Sequence, residues 1–342
     1  MGSLPVLVSN MAARDGHDTG PTHPERPARL VAVERGLAAT GMGDALAPLD
    51  GRFAGRAELT RVHSAQHLDA IALLAASGGG DVDPDTRISR GSWDTARWAA
   101  GTGLAAVEAL EQGEGQAAFV AIRPPGHHAT RDTAMGFCLL NNVAIAAAAL
   151  ADRGERVAIV DWDVHHGNGT QDIFWDDPRV LYASTHQWPA YPGTGRVTET
   201  GGAGAPGLTV NVPLPPGATG DVARMAFDQV IGPAVEGFAP TWVLISAGFD
   251  AHRDDPLADL AWSAGDYADL ASQVAGWAPR PGRVIAFLEG GYDPMALAHS
   301  AGSMVAALAG GSYRPEPSTS GGPGREAVSG AVRWWGESGL AS

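Results

Sequence analysis

Lysine is missing from this 342-residue chain; all 23 of its basic residues are arginine. A Schiff-base aldolase or a pyridoxal-phosphate enzyme needs a lysine amine, and a phosphate-cradling G-x-x-x-x-G-K-[ST] loop needs its lysine, so these chemistries are excluded. Cysteine is reduced to Cys138, which rules out a disulfide framework and a zinc knuckle of four cysteines or of two cysteines and two histidines. No apolar run approaches the roughly 20 residues that span a bilayer. Residues 1–18 lack a basic stretch followed by a long apolar core, so they do not read as a signal peptide. A cytoplasmic protein without a membrane partner is expected. Basic residues are also outnumbered, 38 acidic to 23, for a formal charge of -15. That balance argues against a nucleic-acid partner, which demands clustered positive charge. It favours cationic substrates, over a range of about 8 Å in physiological salt. Finally, no G-x-S-x-G elbow is present, which weakens a serine-hydrolase reading.

What the sequence does contain is a set of short apolar runs. Residues 117–122 (AAFVAI), 157–160 (VAIV), 242–246 (WVLIS) and 284–288 (VIAFL) are each followed within two residues by Gly, Pro or Asp. Continuous runs of this length, separated by Ala/Leu-rich stretches of helical length, read as buried parallel strands. Further strands are expected at 180–184 and 208–212, and helices at 142–151, 222–237, 264–276 and 294–308. The pattern predicts an α/β fold, a doubly wound and mostly parallel sheet with helices on both faces. Residues 189–207, rich in Gly and Pro and without periodicity, read as a functional loop. One domain is expected over 1–342, with a core at about 5–310 and a Gly/Pro-rich segment with a short tail over 311–342.

Ligands of open α/β sheets bind outside the carboxyl ends of the strands. Those ends read PPGHH (124–128), DWDVHH (161–166), AGFDAH (247–252) and EGGY (289–292). If the strand stays extended, Asp161, Asp163 and His165 project to one side. With Asp250 alongside, Asp163, His165 and Asp250 make a three-ligand site with an open position, the ligand count of catalytic zinc and oxygen-rich enough for Fe(II). The plain alternative is that these carboxylates cap the elements that follow. His127 and His128 suit general acid/base work on a water held by the metal, with Asp161 and Asn168 as partners that fix each tautomer. Tyr292 follows two glycines, which let the backbone approach closely, and its phenol could donate to a developing oxyanion, worth roughly 3 kcal/mol. Cys138, between Phe137 and Leu139, reads as inert and buried.

The segments HPERPARL (23–30), RPPGHHA (123–129), GFCLLNNVAIAA (136–147), DWDVHHGNGTQ (161–171), AGFDAHRDDPL (247–257) and LEGGYD (288–293) together resemble the arginase/deacetylase superfold. More narrowly they are similar to bacterial class II histone deacetylase-like amidohydrolases, relatives of acetylpolyamine amidohydrolases. The resemblance implies zinc on Asp163, His165 and Asp250, a proton-transfer pair in His127 and His128, and a carbonyl-polarising Tyr292. It further implies that Asp161 supports His127 and Asn168 supports His128. A potassium site behind the zinc would use Asp161, Ser184 and the carbonyls of Asp163, His165 and Thr185. A second would use the carbonyls of Phe174, Asp177 and Val180, with Leu208 more loosely aligned. The substrate tunnel would be walled by Gly136, Phe137, Tyr191 and Leu257, with Asp85 at the rim and Arg26 below the zinc at the acetate exit. The implied reaction is zinc-dependent hydrolysis of N-acetyl amides of lysine side chains or similar primary amines. In that mechanism His127, alone or with His128, takes the water's proton and His128 protonates the leaving amine. The alternative substrate is an acetylated polyamine; Leu257, where polyamine-selective relatives carry Glu, favours an acyl-lysine on another molecule. A pocket kept only for binding would lack a ligand or the tyrosine, and an arginase-like dimanganese site would need a second D-x-D at AGFD. The oligomeric state is left open.

Overall fold

The computed structural model describes residues 4–9 and 15–340; the expectation about a signal peptide falls partly on residues 1–3 and 10–14, outside the described residues. The first half of the chain forms β1 (Val6–Ser9), α1 (Ala28–Ala39), a 3-10 turn (Gly43–Ala45), β2 (Leu46–Leu49), α2 (Arg56–Leu59), α3 (Ala65–Ala76), β3 (Gly79–Asp81), β4 (Arg87–Ser89), α4 (Ser92–Glu111), β5 (Ala117–Val120) and α5 (Asn142–Ala151). The second half forms β6 (Val157–Asp161), α6 (Asn168–Phe174), β7 (Val180–Gln187), β8 (Thr209–Leu214), α7 (Gly220–Ala226), a π turn (Phe227–Ile231), α8 (Gly232–Phe238), β9 (Trp242–Ala247), α9 (Ala264–Gly276), β10 (Val284–Leu288), α10 (Pro294–Leu308) and α11 (Arg325–Ser338).

Eight strands form one all-parallel sheet in the order β2-β1-β5-β10-β9-β6-β7-β8. The doubly wound α/β reading is therefore correct. The four strands whose ends carry the chemistry, β5, β10, β9 and β6, are neighbours at the centre of the sheet. Because the pairing is parallel, their carboxyl ends share one edge; Asp161 lies opposite Ser246 on one side and Ser184 on the other. Buried strands explain the unbroken apolar runs, with every residue of β5, β6, β9 and β10 buried.

Helix starts follow local chemistry. Asn141 accepts from the amide of Ala144 at 3.1 Å to open α5, and Asp293 accepts from Met295 and Ala296 at 2.9 and 2.8 Å to open α10. Residues 222–237, read as one helix, are instead α7, the π turn and α8. The tail is an amphipathic helix: α11 packs on β8 and the π turn, burying Val328, Ala331 and Trp335. Ahead of it, Glu316 accepts from the amide of Ala264 at 2.9 Å, and Thr319 donates its amide to Asp266 at 3.0 Å, tying the Gly/Pro-rich segment to the start of α9.

Candidate active site

The DWDVH run does not continue as a strand. β6 ends at Asp161, and the chain then turns on its own carboxylates: Asp161 accepts the amide of Asp163 at 3.1 Å, and Asp163 accepts that of His165 at 2.9 Å. The turns still bring the side chains together. His165 Nδ1 lies 3.2 Å from Asp163 Oδ1 and 3.3 Å from Asp250 Oδ2. One ligand atom from each of the three residues falls within 4.8 Å of the others, a spacing that suits a single ion. Asp250 Oδ2 is buried and accepts no well-aligned hydrogen bond, with only the 3.3 Å approach of His165 Nδ1, an arrangement that a cation would complete. His165 feels the same field: burial disfavours its charge, but Asp163 and Asp250 overcome this and lift it to about 10. A divalent ion would replace that proton.

The segment after β10 closes the site through Glu289, Gly290 and Gly291. The amide of Gly290 donates to Asp163 Oδ2 at 2.7 Å, and a Cβ there would collide with Asp250 Oδ2 and come within 2.6 Å of Asp163 Oδ2. Only glycine admits both carboxylates. Tyr292 follows, its amide donating to Asp255 Oδ2 at 2.6 Å and its ring edge-on to Phe137 at 5.7 Å. Burial pushes the Tyr292 phenol well above its usual range, so it stays protonated and able to donate.

A turn at PPGHH, closed by the Ala129 amide on the Gly126 carbonyl at 3.0 Å, swings both histidines to one side, which an extended chain could not do. Their ring centroids are 4.0 Å apart. His127 Nδ1 is 3.0 Å from Asp161 Oδ2, and His128 Nδ1 is 2.8 Å from Asn168 Oδ1. Asn168 turns its amide nitrogen to Met135 Sδ at 3.5 Å, so its oxygen accepts from His128 Nδ1–H and the neutral ring keeps its lone pair on Nε2. Burial opposes charge on both rings. For His127 the charges of Asp161 and Asp163 win and lift it to about 10, whereas His128, with His127 and His165 beside it, falls well below its ordinary value. The surroundings thus push the two rings in opposite directions, His127 towards the cation and His128 towards the neutral form.

Around the opening, Phe137 stands at φ 66°, its amide donating to Thr86 Oγ1 at 3.0 Å and its ring 4.8 Å from His23. Gly136, at φ 55°, lies so close to His128 that a Cβ would meet the imidazole and approach Tyr191 to 3.0 Å. Tyr191 faces His128 at 5.1 Å and His165 at 6.3 Å, on the long loop, as the sequence suggested. Asp85 is exposed in the β3–β4 turn, bonded to Thr86 Oγ1 at 3.2 Å. Leu257 is exposed too, its amide held by Asp255 Oδ1 at 3.0 Å, on the carboxylate that also fixes Tyr292.

Arg26 lies away from the three-ligand cluster. Its guanidinium bonds the Pro21 carbonyl at 2.9 Å in an exposed contact. The arginine beneath the site is Arg29, one helical turn on and buried: it donates to the carbonyls of Glu289 and Gly291, the latter at 2.6 Å, and lies 4.9 Å from the Tyr292 ring centroid. The sequence reading also missed Glu289, which accepts the amides of Gly126 and His127 at 2.6 and 3.2 Å. Burial holds its carboxyl up at about 7. Glu289 opens EGGY, and a charged residue directly after a buried strand was the available signal.

Behind the three-ligand cluster, Asp161 Oδ2 also accepts the Tyr182 hydroxyl at 3.1 Å, Ser184 Oγ bonds His186 Nδ1 at 2.9 Å, and Thr185 Oγ1 is buried and unpartnered. The carbonyls of Phe174 and Asp177 accept the amides of Asp177 and Val180, at 3.1 and 3.2 Å, in the turn after α6.

Residues 23–308 match the histone deacetylase domain. A probable deacetylase of Archaeoglobus fulgidus is 42% identical over 300 residues, which cover 86% of this chain and 83% of that one. A histone deacetylase-like amidohydrolase of Pseudomonas aeruginosa is 41% identical over 244 residues, 69% of this chain and 63% of that one. The crystal structure of the HDA15 HD domain matches with a TM-score of 0.89 at 34% identity, covering 98% of both chains.

Proposed function

Given that the chain belongs to the histone deacetylase family, we propose that it is a zinc-dependent enzyme that hydrolyses N-acetyl and other short N-acyl amides of lysine side chains. The observation that carries this reading is the cluster of Asp163, His165 and Asp250, with its buried Asp250 oxygen, set beside a His128 pushed towards the neutral form and a protonated Tyr292. Bound there, zinc would supply Lewis acidity for the amide carbonyl and bring the pKa of water towards roughly 7. His128 Nε2 receives the proton of the attacking water and passes it to the amine nitrogen as the C–N bond breaks. Asn168 holds His128 in the tautomer this needs. His127, kept cationic by Asp161, holds His128 neutral between turns, and the Tyr292 hydroxyl donates to the carbonyl oxygen as it gains charge. Glu289 and Arg29 position the PPGHH and EGGY backbones.

Potassium is assigned to Asp161, Ser184 and the carbonyls of Asp163, His165 and Thr185, and a second ion to the carbonyls of Phe174, Asp177 and Val180 in the turn after α6; the pairing of Asp161 with Ser184 across β6 and β7 supports the first. Gly136, Phe137, Tyr191 and Leu257 form the tunnel for the acyl-amine, with Asp85 at its mouth. Leu257 favours an aliphatic lysine chain over a polyamine. A comparison of kcat/KM on an acetyl-lysine peptide with N-acetylspermidine and acetylputrescine tests the substrate: the peptide is expected to be preferred by at least tenfold, and a preference for the polyamines overturns the lysine assignment.

A further inference from the structure

At the opposite edge of the sheet, where the strands begin, a cavity of about 600 Å³ lies against α8, the π turn and α11, a size inside the roughly 300–1,000 Å³ of small-molecule sites. Arg156 directly precedes β6, Leu181 is the second residue of β7 and Leu208 directly precedes β8, so the cavity is far from the strand ends that carry the chemistry. Its lining side chains are mostly apolar, Leu181, Leu208, Val230, Phe238 and Trp335 among them; Arg156 and Gln229 add polar groups, and backbone at Gly207, Gly237 and Gly336 completes the wall. Leu181, Val230, Phe238 and Trp335 are each no more than 8% exposed, so the floor is recessed. The π turn, a distortion that recurs at functional sites, places Gln229 and Val230 in the wall. Arg156 is exposed, and its guanidinium lies 4.8 Å from the Phe238 ring centroid. Among the described residues that guanidinium has no carboxylate partner, although acidic residues outnumber basic ones 38 to 23.

We propose that this cavity is a second ligand site, for an amphipathic carboxylate whose aliphatic chain fills the apolar recess and whose carboxylate pairs with Arg156. The unpaired cation selects an anion, and bidentate geometry on arginine suits a carboxylate. The recess suits a slender alkyl chain rather than a folded partner, which would need a broad exposed face. The site is independent of the hydrolytic one and gives a ligand class that nothing at the active site requires.

Isothermal titration of the metal-loaded 342-residue chain with hexanoate, octanoate and decanoate tests the proposal. Saturable binding is expected, tightening by about fourfold per methylene as apolar surface is buried. Arg156→Gln is expected to weaken decanoate at least tenfold, and Ala234→Trp, which fills the cavity, to abolish binding, both with an unchanged thermal midpoint. Val332→Trp fills the same space from α11 and replaces Ala234→Trp if that variant does not fold. Absence of binding to the unmodified chain, undiminished binding in the filled variant, or equal affinity for decyltrimethylammonium each overturns the proposal.

Discussion

His127 and His128 are the same side chain, their rings 4.0 Å apart, and their neighbours push them towards opposite protonation. Asp161 gives His127 a charge to pair with; Asn168 gives His128 an oxygen without one. Asn168→Asp should therefore raise the pKa of His128 by on the order of one unit. A base must be neutral to accept a proton, so the acidic limb of the kcat/KM–pH profile should move to higher pH; a limb that stays in place contradicts the assignment of His128 as the base. Tyr292→Phe removes one donor to the developing oxyanion and should cost about 3 kcal/mol, roughly two orders of magnitude in kcat, with zinc content unchanged by elemental analysis. Full turnover in that variant contradicts its role. These residues were legible because they stand directly after apolar strands, where a turn needs only Gly, Pro or Asn. Glu289 carried the same signal and was passed over, while Arg29 was not legible, because it lies in α1 and what it holds is the distant backbone of Gly291; Glu289 likewise holds backbone 163 and 162 positions away.

At the scale of elements, the strands of the central sheet read plainly, since burial on both faces demands unbroken apolar runs. β1 and β2 escaped notice: each has four residues, and the LAPL of β2 carries a proline that argues against a strand, tolerated because β2 is the sheet edge. The π turn in 227–231 left no signal in a segment of good helix composition. The segment after β10 has the sharpest requirement. Its Gly290 passes between two carboxylates, so Gly290→Ala is expected to reduce metal affinity at least tenfold in a competition with a chelator. Gly276→Ala, at a position where a Cβ meets nothing within 4 Å, serves as the comparison and should leave affinity unchanged. Equal affinity in both variants contradicts the close packing of Gly290 against the cluster.

Across the whole molecule, strand order converts four separated motifs into one site. Sequence shows the motifs but not that β5, β10, β9 and β6 lie side by side, because pairing between distant strands is a tertiary choice that periodicity does not encode. Under the site, Glu25 illustrates how the fold holds this arrangement. Burial raises the cost of its charge, yet Arg123 and His17 keep it ionised, with its carboxyl well below the usual range, and Arg29 bonds it at 3.2 Å. An arginine-rich chain without lysine builds this network from planar guanidinium groups, which satisfy two acceptors at once. Among the described residues no helix is long and apolar enough to cross a membrane. The account rests on an ion held by Asp163, His165 and Asp250, and it is tested most directly by acetate release from an acetyl-lysine peptide before chelation, after it, and during titration with zinc. It predicts that the chelated protein is inactive and that activity returns in full at one zinc per chain in the unmodified protein but not in Asp250→Ala; undiminished acetate release by the metal-free protein would contradict it.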